Sequence, residues 1–229
     1  MERFFLAALC RAPGVGSRVA ASLVRVFGSA QDAWHARAEA LCAVHLSPER
    51  AAALHDFCRR NEALPEEIAA ACEKGGISLF VPSDEAYPAL LKEIYNPPQT
   101  LFCRGSLDCL KHPAVAMVGA RHASAYGKGA AEDIALGLAE RGFVVVSGAA
   151  RGIDTASHKG ALQAGATVAV LGCGVDVAYP RENARLLAEI AEKGAVISEY
   201  APGTAPLAAF FPARNRIISG VAHGTIVVE

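Results

Sequence analysis

The chain has 229 residues, of which 22 are basic and 23 acidic, so its formal net charge is −1. A chain that is 52% hydrophobic and 20% charged can bury a core, which excludes an intrinsically disordered protein. Its mean hydropathy is +0.27, but Gly, Arg, Glu or His interrupts every apolar run before the roughly 18 to 20 residues that a bilayer-spanning helix needs. The sequence therefore predicts no membrane partner.

The cysteines and histidines, seven of each, show no pattern of a metal site or a disulfide framework. The cysteines are odd in number and form no Cys-x-x-Cys pair, and no histidine spacing offers a set of zinc ligands. The N-terminus lacks the pattern of a secretory signal. We expect reduced thiols in a cytoplasmic protein, with no metal and no cofactor.

Three regions differ in their apolar patterns. In residues 1–71 apolar residues recur every three or four positions, which predicts a small all-helical domain. In residues 72–110 four prolines separate short apolar runs, which predicts a connector with one or two edge strands. In residues 111–229 apolar runs alternate with amphipathic stretches.

This last region predicts an α/β domain with a doubly wound, mostly parallel sheet, because its apolar runs lack period-two alternation and are separated by helices. In such sheets ligands bind at the carboxyl ends of the strands. The chain stops on the last predicted strand, which suggests that it is part of a longer protein. The predicted strands are 115–119, 143–147, 167–171, 195–198 and 225–229, and the predicted helices are 126–141, 154–164, 181–193 and about 212–220.

A Pro-Gly-Val-Gly turn at residues 13–16 separates two apolar helical segments. Such a turn exposes backbone N–H groups to phosphate oxygens and is similar to a helix-hairpin-helix motif. A second copy at residues 41–54 has Val44 and His45 in place of the hairpin glycines. Close packing of two helices explains the glycines equally well.

The loop after the first parallel strand carries Arg121 where a nicotinamide-binding loop would have its second glycine, and the next strand ends in Ser147-Gly148 rather than in a ribose-binding acid. An arginine at this position suits a phosphate or a base edge. An ion pair with a helix acid is the less favoured alternative, because the loop contains no acidic residue.

Two further strand ends are rich in small residues. Residues 147–152 lead into a predicted helix with Asp154 as its N-cap, and we expect Asp154 and His158 to cap and to hydrogen-bond rather than to act as an acid–base pair. Cys173 stands in a Gly-Cys-Gly turn without the base that a nucleophile requires, so it is interpreted as a packing residue.

The segment 210–220 begins with two phenylalanines and continues with Arg214, Asn215 and Arg216. Arginine and aromatic side chains can hold phosphates and stack on unpaired bases. The alternative is that the phenylalanines belong to the core. The loops 119–128, 147–159 and 210–216 contain six basic residues and one acid, a net charge of +5, which predicts a cation surplus at one edge of the sheet.

Five motifs in fixed order in residues 111–229 resemble the bacterial DNA-processing protein A family, also called Smf, and residues 1–71 look like that family's SAM-like helical domain. The motifs are Val-Gly-Ala-Arg, Ser-Gly-x-Ala-Arg-Gly-Ile-Asp-x-x-x-His, Leu-Gly-Cys-Gly-x-Asp-x-x-Tyr-Pro, Ser-Glu-Tyr-x-Pro-Gly-Thr and Phe-Pro-x-Arg-Asn-Arg-Ile-Ile-Ser-Gly. The resemblance implies an extended Rossmann fold and a homodimer that binds incoming single-stranded DNA during natural transformation, protects it and helps to load the RecA recombinase. It implies a DNA pocket of Gly119, Arg121, Ser147, Gly148, Arg151, Gly152, Phe211, Arg214, Asn215 and Arg216.

Two features depart from the family pattern. Ala120 stands where serine is common, and family members continue beyond Glu229 with elements for dimerisation and RecA contact. No loop combines a nucleophile, a base and an orienting group, so we expect a binding protein and not an enzyme. The alternative is a phosphoribohydrolase-like enzyme acting on nucleoside monophosphates, suggested by Gly224, Thr225 and Glu229. A protein-interaction module is a third possibility.

Overall fold

The computed structural model describes all 229 residues, and the first third of the chain is entirely helical. Ser47 N-caps a helix whose first residue is Pro48, and Gly28 ends another helix in the left-handed conformation, with φ of 84°. The helices of this region are α1 (Glu2–Arg11), α2 (Ser17–Phe27), α3 (Ala30–Trp34), α4 (Ala38–Leu41), α5 (Pro48–Arg60) and α6 (Leu64–Gly75), with a 3-10 turn at Cys42–Val44.

Seven strands form one mixed sheet in the order β1-β2-β6-β5-β4-β3-β7. The pairs β1–β2 and β2–β6 are antiparallel, and the other four pairs are parallel. Every residue of β4, β5 and β6 is buried, as expected for strands covered on both faces. The strands are β1 (Ser78–Phe80), β2 (Leu101–Gly105), β3 (Ala114–Gly119), β4 (Val144–Ser147), β5 (Thr167–Val170), β6 (Ala195–Ser198) and β7 (Gly224–Val228).

Helices cover both faces of this sheet, so the predicted doubly wound α/β fold preceded by a helical region is confirmed. Met117 and Val145 pack with the helices at residues 125–140 and 153–162 on one face, whereas Ile217 and Ile218 pack on Val146 at the other. The remaining helices are α7 (Ala89–Lys92), α8 (Ala125–Glu140), α9 (Ile153–Leu162), α10 (Ala184–Lys193) and α11 (Phe210–Gly220), with 3-10 turns at Leu107–Lys111 and Arg181–Asn183.

The helical region shares a core with the sheet. One cluster of 34 buried residues contains Leu9 and Trp34 of the helices together with Leu79, Phe102 and Val196 of β1, β2 and β6. The division at residues 71 and 110 stays a prediction, because the apolar packing continues across both positions.

Three local expectations are corrected. The second strand of the connector, β2, is internal rather than an edge, because it pairs with β1 on one side and β6 on the other. The helix predicted to start at residue 181 begins as a 3-10 turn. The N-cap of α9 is Gly152, and Asp154 instead accepts a hydrogen bond from the Ala150 N–H at 3.2 Å. No helix is both long and apolar enough to cross a membrane.

Candidate nucleic-acid interface

A cleft of about 640 Å³ lies over the carboxyl ends of the central parallel strands. Its walls come from the loops that follow β3, β4 and β5 and from the start of α11. Five of the ten predicted site residues line it, which are Arg121, Gly148, Arg151, Phe211 and Arg214. Asn215 lines a smaller adjoining pocket that shares Arg121, Phe211 and Arg214.

Arg121 is the exposed cation of this cleft. It makes no side-chain hydrogen bond and no ion pair, so the alternative of pairing with a helix acid is not seen. Its guanidinium carbon lies 5.8 Å from the centre of the Phe211 ring, which is itself 5.2 Å from the ring centre of Tyr179. A free guanidinium beside two aromatic rings can bind a phosphate and leave a ring face for a base.

Two glycines allow the loops below Arg121 to approach closely. A Cβ at Gly119 would overlap the carbonyl oxygen of Val228 and lie 2.6 Å from the side chain of Ile153. Gly152 has φ of 78°, and a Cβ there would overlap the carbonyl oxygen of Ala120. Both glycines therefore shape the cleft by letting backbone segments meet.

Arg214 forms the floor of the cleft. Only 4% of its surface is exposed. Its Nη1 donates to the carbonyl oxygen of Gly148 at 2.9 Å and to that of Val170. Burial lowers the pKa of this guanidinium, and no carboxylate lies within ion-pair distance. Its Nη2 has no protein acceptor, so this nitrogen remains able to donate to a ligand.

Ser147 lies beneath this floor, whereas Gly148 lines the cleft beside Arg214. Ser147 is fully buried, and its hydroxyl donates to the carbonyl oxygen of Met117 at 2.6 Å. A Cβ at Gly148 would lie 2.6 Å from Nη2 of Arg214, so the glycine makes room for the guanidinium. Ser147 therefore supports the cleft from below, and Gly148 leaves the space that the Arg214 side chain occupies.

Arg151 and Asn215 lie at the rim. Both are exposed, and the Oδ1 of Asn215 accepts from Nε of Arg214 at 3.3 Å. Arg151 forms a bidentate ion pair with Glu182, in which Nε and Nη2 donate to the two carboxylate oxygens at 2.8 and 2.7 Å. The hydrogen bonds from Arg151 lower the pKa of the Glu182 carboxyl, which is therefore ionised at neutral pH. A phosphate must compete with this carboxylate for Arg151.

Arg216 corrects the expectation that four arginines converge on one cleft. It donates to both carboxylate oxygens of Glu199, each at 2.6 Å, and to the carbonyl oxygen of Asn96 at 3.0 Å. It lines a different cleft of about 770 Å³, on the side of α11 that faces the helical region. Arg214 and Arg216 are two residues apart, and that spacing places side chains on different sides of a helix.

The hairpin turn at residues 13–16 lies at this second cleft, which Val15 and Gly16 help to line. Gly14 has φ of 77°, and its carbonyl oxygen accepts a hydrogen bond from Nη2 of Arg50 on α5 at 2.9 Å. In the degenerate second copy, His45 adopts the left-handed conformation that the missing glycine would adopt, with φ of 61°.

Sequence reasoning did not include several side chains that line the basic edge. The ring of Tyr179 faces that of Phe211. In the sequence Tyr179 appeared only as part of a Tyr-Pro motif and was not predicted to be a site residue. Lys128 and Lys159 line a third cleft that shares Arg121 and Arg151. These two lysines counted toward the charge of the loops, but no motif distinguished them from other surface lysines.

Two buried titratable side chains near the cleft, His158 and Cys173, each make one hydrogen bond within the protein. His158 is fully buried with Nδ1 2.8 Å from the Thr167 hydroxyl, and burial lowers its pKa to about 3, so the ring is neutral at physiological pH. Burial raises the pKa of Cys173 to about 11, and its thiol donates to the carbonyl oxygen of Val177 at 3.4 Å. These groups are part of the packing beneath the loops.

Comparison with known proteins identifies the family. The sequence model of DNA recombination-mediator protein A matches residues 78–229. The DNA processing protein DprA of Streptococcus pneumoniae is 52% identical over 147 residues, which cover 64% of this chain and 52% of that protein. Protein Smf of Synechocystis is 35% identical and aligns with the whole chain and 58% of its own length. The chain thus spans a little over half the length of these curated relatives.

Two solved structures are similar. The X-ray structure of DprA from Streptococcus pneumoniae has a TM-score of 0.84 at 36% identity and covers 100% of this chain and 78% of that one. A structure of DNA processing protein A from Helicobacter pylori, described by its single-stranded DNA binding mode, has a TM-score of 0.61 at 32% identity and covers 66% and 68%. With the family match over the whole sheet, these similarities show that the chain belongs to the DNA recombination-mediator protein A (DprA/Smf) family.

Proposed function

We propose that this chain binds single-stranded DNA, with little sequence preference, in the cleft over the carboxyl ends of β3, β4 and β5. The observation that carries the proposal is Arg121, a free guanidinium that lies 5.8 Å from the centre of the Phe211 ring and lines one cleft with Tyr179 and Arg214. Cations hold phosphates whatever the base, and ring faces stack on any base. Stacking requires unpaired bases, which favours single strands over duplex.

The charge of the cleft favours a modest electrostatic grip. Arg151 and Arg216 are neutralised by Glu182 and Glu199, which lie outside the three basic loops. The cations without an acidic partner are Arg121, Arg214, Lys128 and Lys159. Few phosphates are therefore neutralised, and the affinity should depend only moderately on salt.

The wider role follows from the family and is also proposed. The chain would protect incoming DNA during natural transformation and help to load RecA, as a homodimer in the cytoplasm and without covalent chemistry. The DNA-binding structure of the Helicobacter pylori relative supports the DNA partner. Sedimentation of the chain alone and with RecA tests the assembly steps, and a chain that stays monomeric and binds no RecA would contradict them.

The first test removes Arg121. We expect Arg121→Ala to weaken binding of a fluorescent single-stranded oligonucleotide about tenfold, the equivalent of one charge-assisted hydrogen bond. The slope of log affinity against log salt should fall by about 0.7 if one phosphate contact is lost. Arg141→Ala, at the opposite end of α8, is the matched control and should bind as the unaltered chain does. Equal affinities in both variants would remove the basis for this site.

The second test releases Arg151 from its ion pair. Glu182→Gln removes the competing carboxylate, so we expect tighter binding and a salt slope that is steeper by about 0.7. Glu189→Gln breaks the ion pair with Lys193 on α10 and serves as the control. Weaker binding by Glu182→Gln would show that the ion pair itself, and not free Arg151, belongs to the site.

Release of free base when the unaltered chain is incubated with nucleoside monophosphates would instead support the alternative of a phosphoribohydrolase-like enzyme.

A further inference from the structure

Arg121 owes its position to the loop that carries it. Its guanidinium has no hydrogen-bond partner, and its contact with the Phe211 ring at 5.8 Å is too weak to fix a long side chain. The loop 120–124 joins β3 to α8, and it contains Ala120 at the position where serine is common in the family. The groups that hold the two ends of this loop therefore decide where the cation lies.

Glu229 binds both ends of the loop. Its main-chain carbonyl oxygen accepts from the N–H of Ala120 at 2.9 Å. Its carboxylate accepts from the N–H of Ser124 at 3.0 and 3.2 Å and from the Ser124 hydroxyl at 2.7 Å. A Cβ at Gly127 would overlap this carboxylate, so the first turn of α8 leaves room for it.

The topology explains why one residue can reach both ends. The chain adds β4, β5 and β6 on one side of β3 and then returns to place β7 on the other side. The carboxyl ends of β3 and β7 therefore meet at the switch point of the sheet, where doubly wound proteins usually bind their ligands. Here the Glu229 carboxylate occupies that place at the start of α8, and the hydrogen bonds from Ser124 lower its pKa and keep it ionised.

We propose that Glu229 is a positioning residue of the DNA site: by holding both ends of the loop 120–124 it fixes Arg121 over the cleft. This inference rests on the proposed DNA binding. For the effect of removing Glu229 on DNA affinity, this inference predicts the opposite sign to that expected from charge repulsion alone. An acid beside a phosphate-binding cleft repels DNA, so its removal should tighten binding, whereas loss of a positioning residue weakens it.

The test compares Glu229→Ala with Glu132→Gln, which removes an acid from α8 without touching the loop. We expect Glu229→Ala to bind single-stranded DNA several-fold more weakly, close to the loss in Arg121→Ala, and Glu229→Gln, which keeps one acceptor oxygen, to lie between. Glu132→Gln should bind unchanged or more tightly. In an Arg121→Ala background Glu229→Ala should cause no further loss, because there is no cation left to position.

Amide hydrogen exchange in the DNA-free protein separates this inference from the DNA proposal. Faster exchange of the Ser124 amide in Glu229→Ala, with unchanged exchange in β4, supports the role of Glu229 in holding the loop 120–124, whether or not DNA binds. Unchanged exchange at Ser124, tighter DNA binding by Glu229→Ala, or an equal further loss in the Arg121→Ala background would each overturn it. Absence of DNA binding by the unaltered chain would instead overturn the proposed function.

Discussion

Arg214 and Arg216 belong to the same sequence motif but have different partners. Arg214 is buried and donates to the backbone at the ends of β4 and β5, whereas Arg216 pairs with Glu199 beside another cleft. A planar guanidinium can satisfy two carbonyl groups and still present a nitrogen to a ligand, which explains why arginine suits the floor of the candidate cleft. Arg214 therefore links the stability of the strand ends to the proposed binding.

Arg214→Met tests this link. The methionine stem keeps much of the volume, but the carbonyl groups of Gly148 and Val170 lose their donor. We expect the free energy of unfolding to fall by about 2 to 4 kcal/mol, since buried carbonyl groups without partners are costly. Urea denaturation measures the change. Arg185→Met, on the exposed side of α10, should change stability by less than about 0.5 kcal/mol. Equal effects would show that Nη1 contributes nothing to the fold.

At the residue scale, the sequence indicated which side chains are candidates for the site better than it indicated their ion-pair partners. Arg121 was expected to be free because its loop contains no acid, and the structure confirms that it has no ion pair. The pairing of Arg151 with Glu182 joins residues 31 positions apart, and that of Arg216 with Glu199 joins residues 17 apart. Local sequence carries no signal for such pairs, because they form only when separate loops meet over the sheet.

At the scale of elements, the parallel strands were predictable and the connector was not. Short runs of Val, Ala and Ile predicted every strand from β3 to β7 to within one residue. The runs of β4, β5 and β6 lack alternation because these strands are buried on both faces. The internal position of β2 depends on its antiparallel pairing with β6, whose paired residues lie 90 to 96 positions later in the chain. The proline-bounded run around Phe102 carries no information about that pairing.

Gly152 links two of these elements, since it starts α9 and lies against the loop after β3. Gly152→Ala requires a left-handed φ of 78° for alanine and places a Cβ on the carbonyl oxygen of Ala120. We expect a loss of about 2 to 4 kcal/mol in unfolding free energy, together with weaker DNA binding as the Arg121 loop is displaced. Thermal denaturation and oligonucleotide titration measure the two effects.

Gly129→Ala is the matched control for this substitution. Gly129 lies in the exposed interior of α8, where a Cβ would meet no atom within 4 Å. Replacing a helical glycine by alanine should stabilise the protein by roughly 0.5 to 1 kcal/mol. If Gly152→Ala behaved like Gly129→Ala, the close contact between the two loops would not be needed for the fold.

At the scale of the whole molecule, the net charge of −1 conceals an uneven distribution. The three loops at the carboxyl edge carry +5, but the acids that neutralise Arg151 and Arg216 come from other segments. The sequence therefore predicted the edge with the cation surplus correctly and overestimated the number of free cations. The remaining surplus surrounds Arg121 and favours a local groove over a broadly basic surface.

The shared core predicts that the helical region and the sheet unfold together. Trp34, the chain's one tryptophan, is 3% exposed in the same cluster as Phe102 and Val196 of the sheet. Loss of either partner would expose apolar surface on the other, so each stabilises its neighbour. Trp34 fluorescence and the protection of Cys103 in β2 and of Cys173 in the turn after β5 should therefore be lost at the same urea concentration.

The helical thiols Cys58 and Cys72 give an internal comparison within one labelling experiment, because both are buried and lie on α5 and α6. If helices α1 to α6 formed a unit of independent stability, Trp34, Cys58 and Cys72 would become accessible at lower urea than Cys103 and Cys173. Peptide mass spectrometry after a short labelling pulse resolves the four thiols. If Trp34 and all four thiols become accessible at the same urea concentration, the helices and strands β1, β2 and β6 unfold as one cooperative unit, as their common core requires.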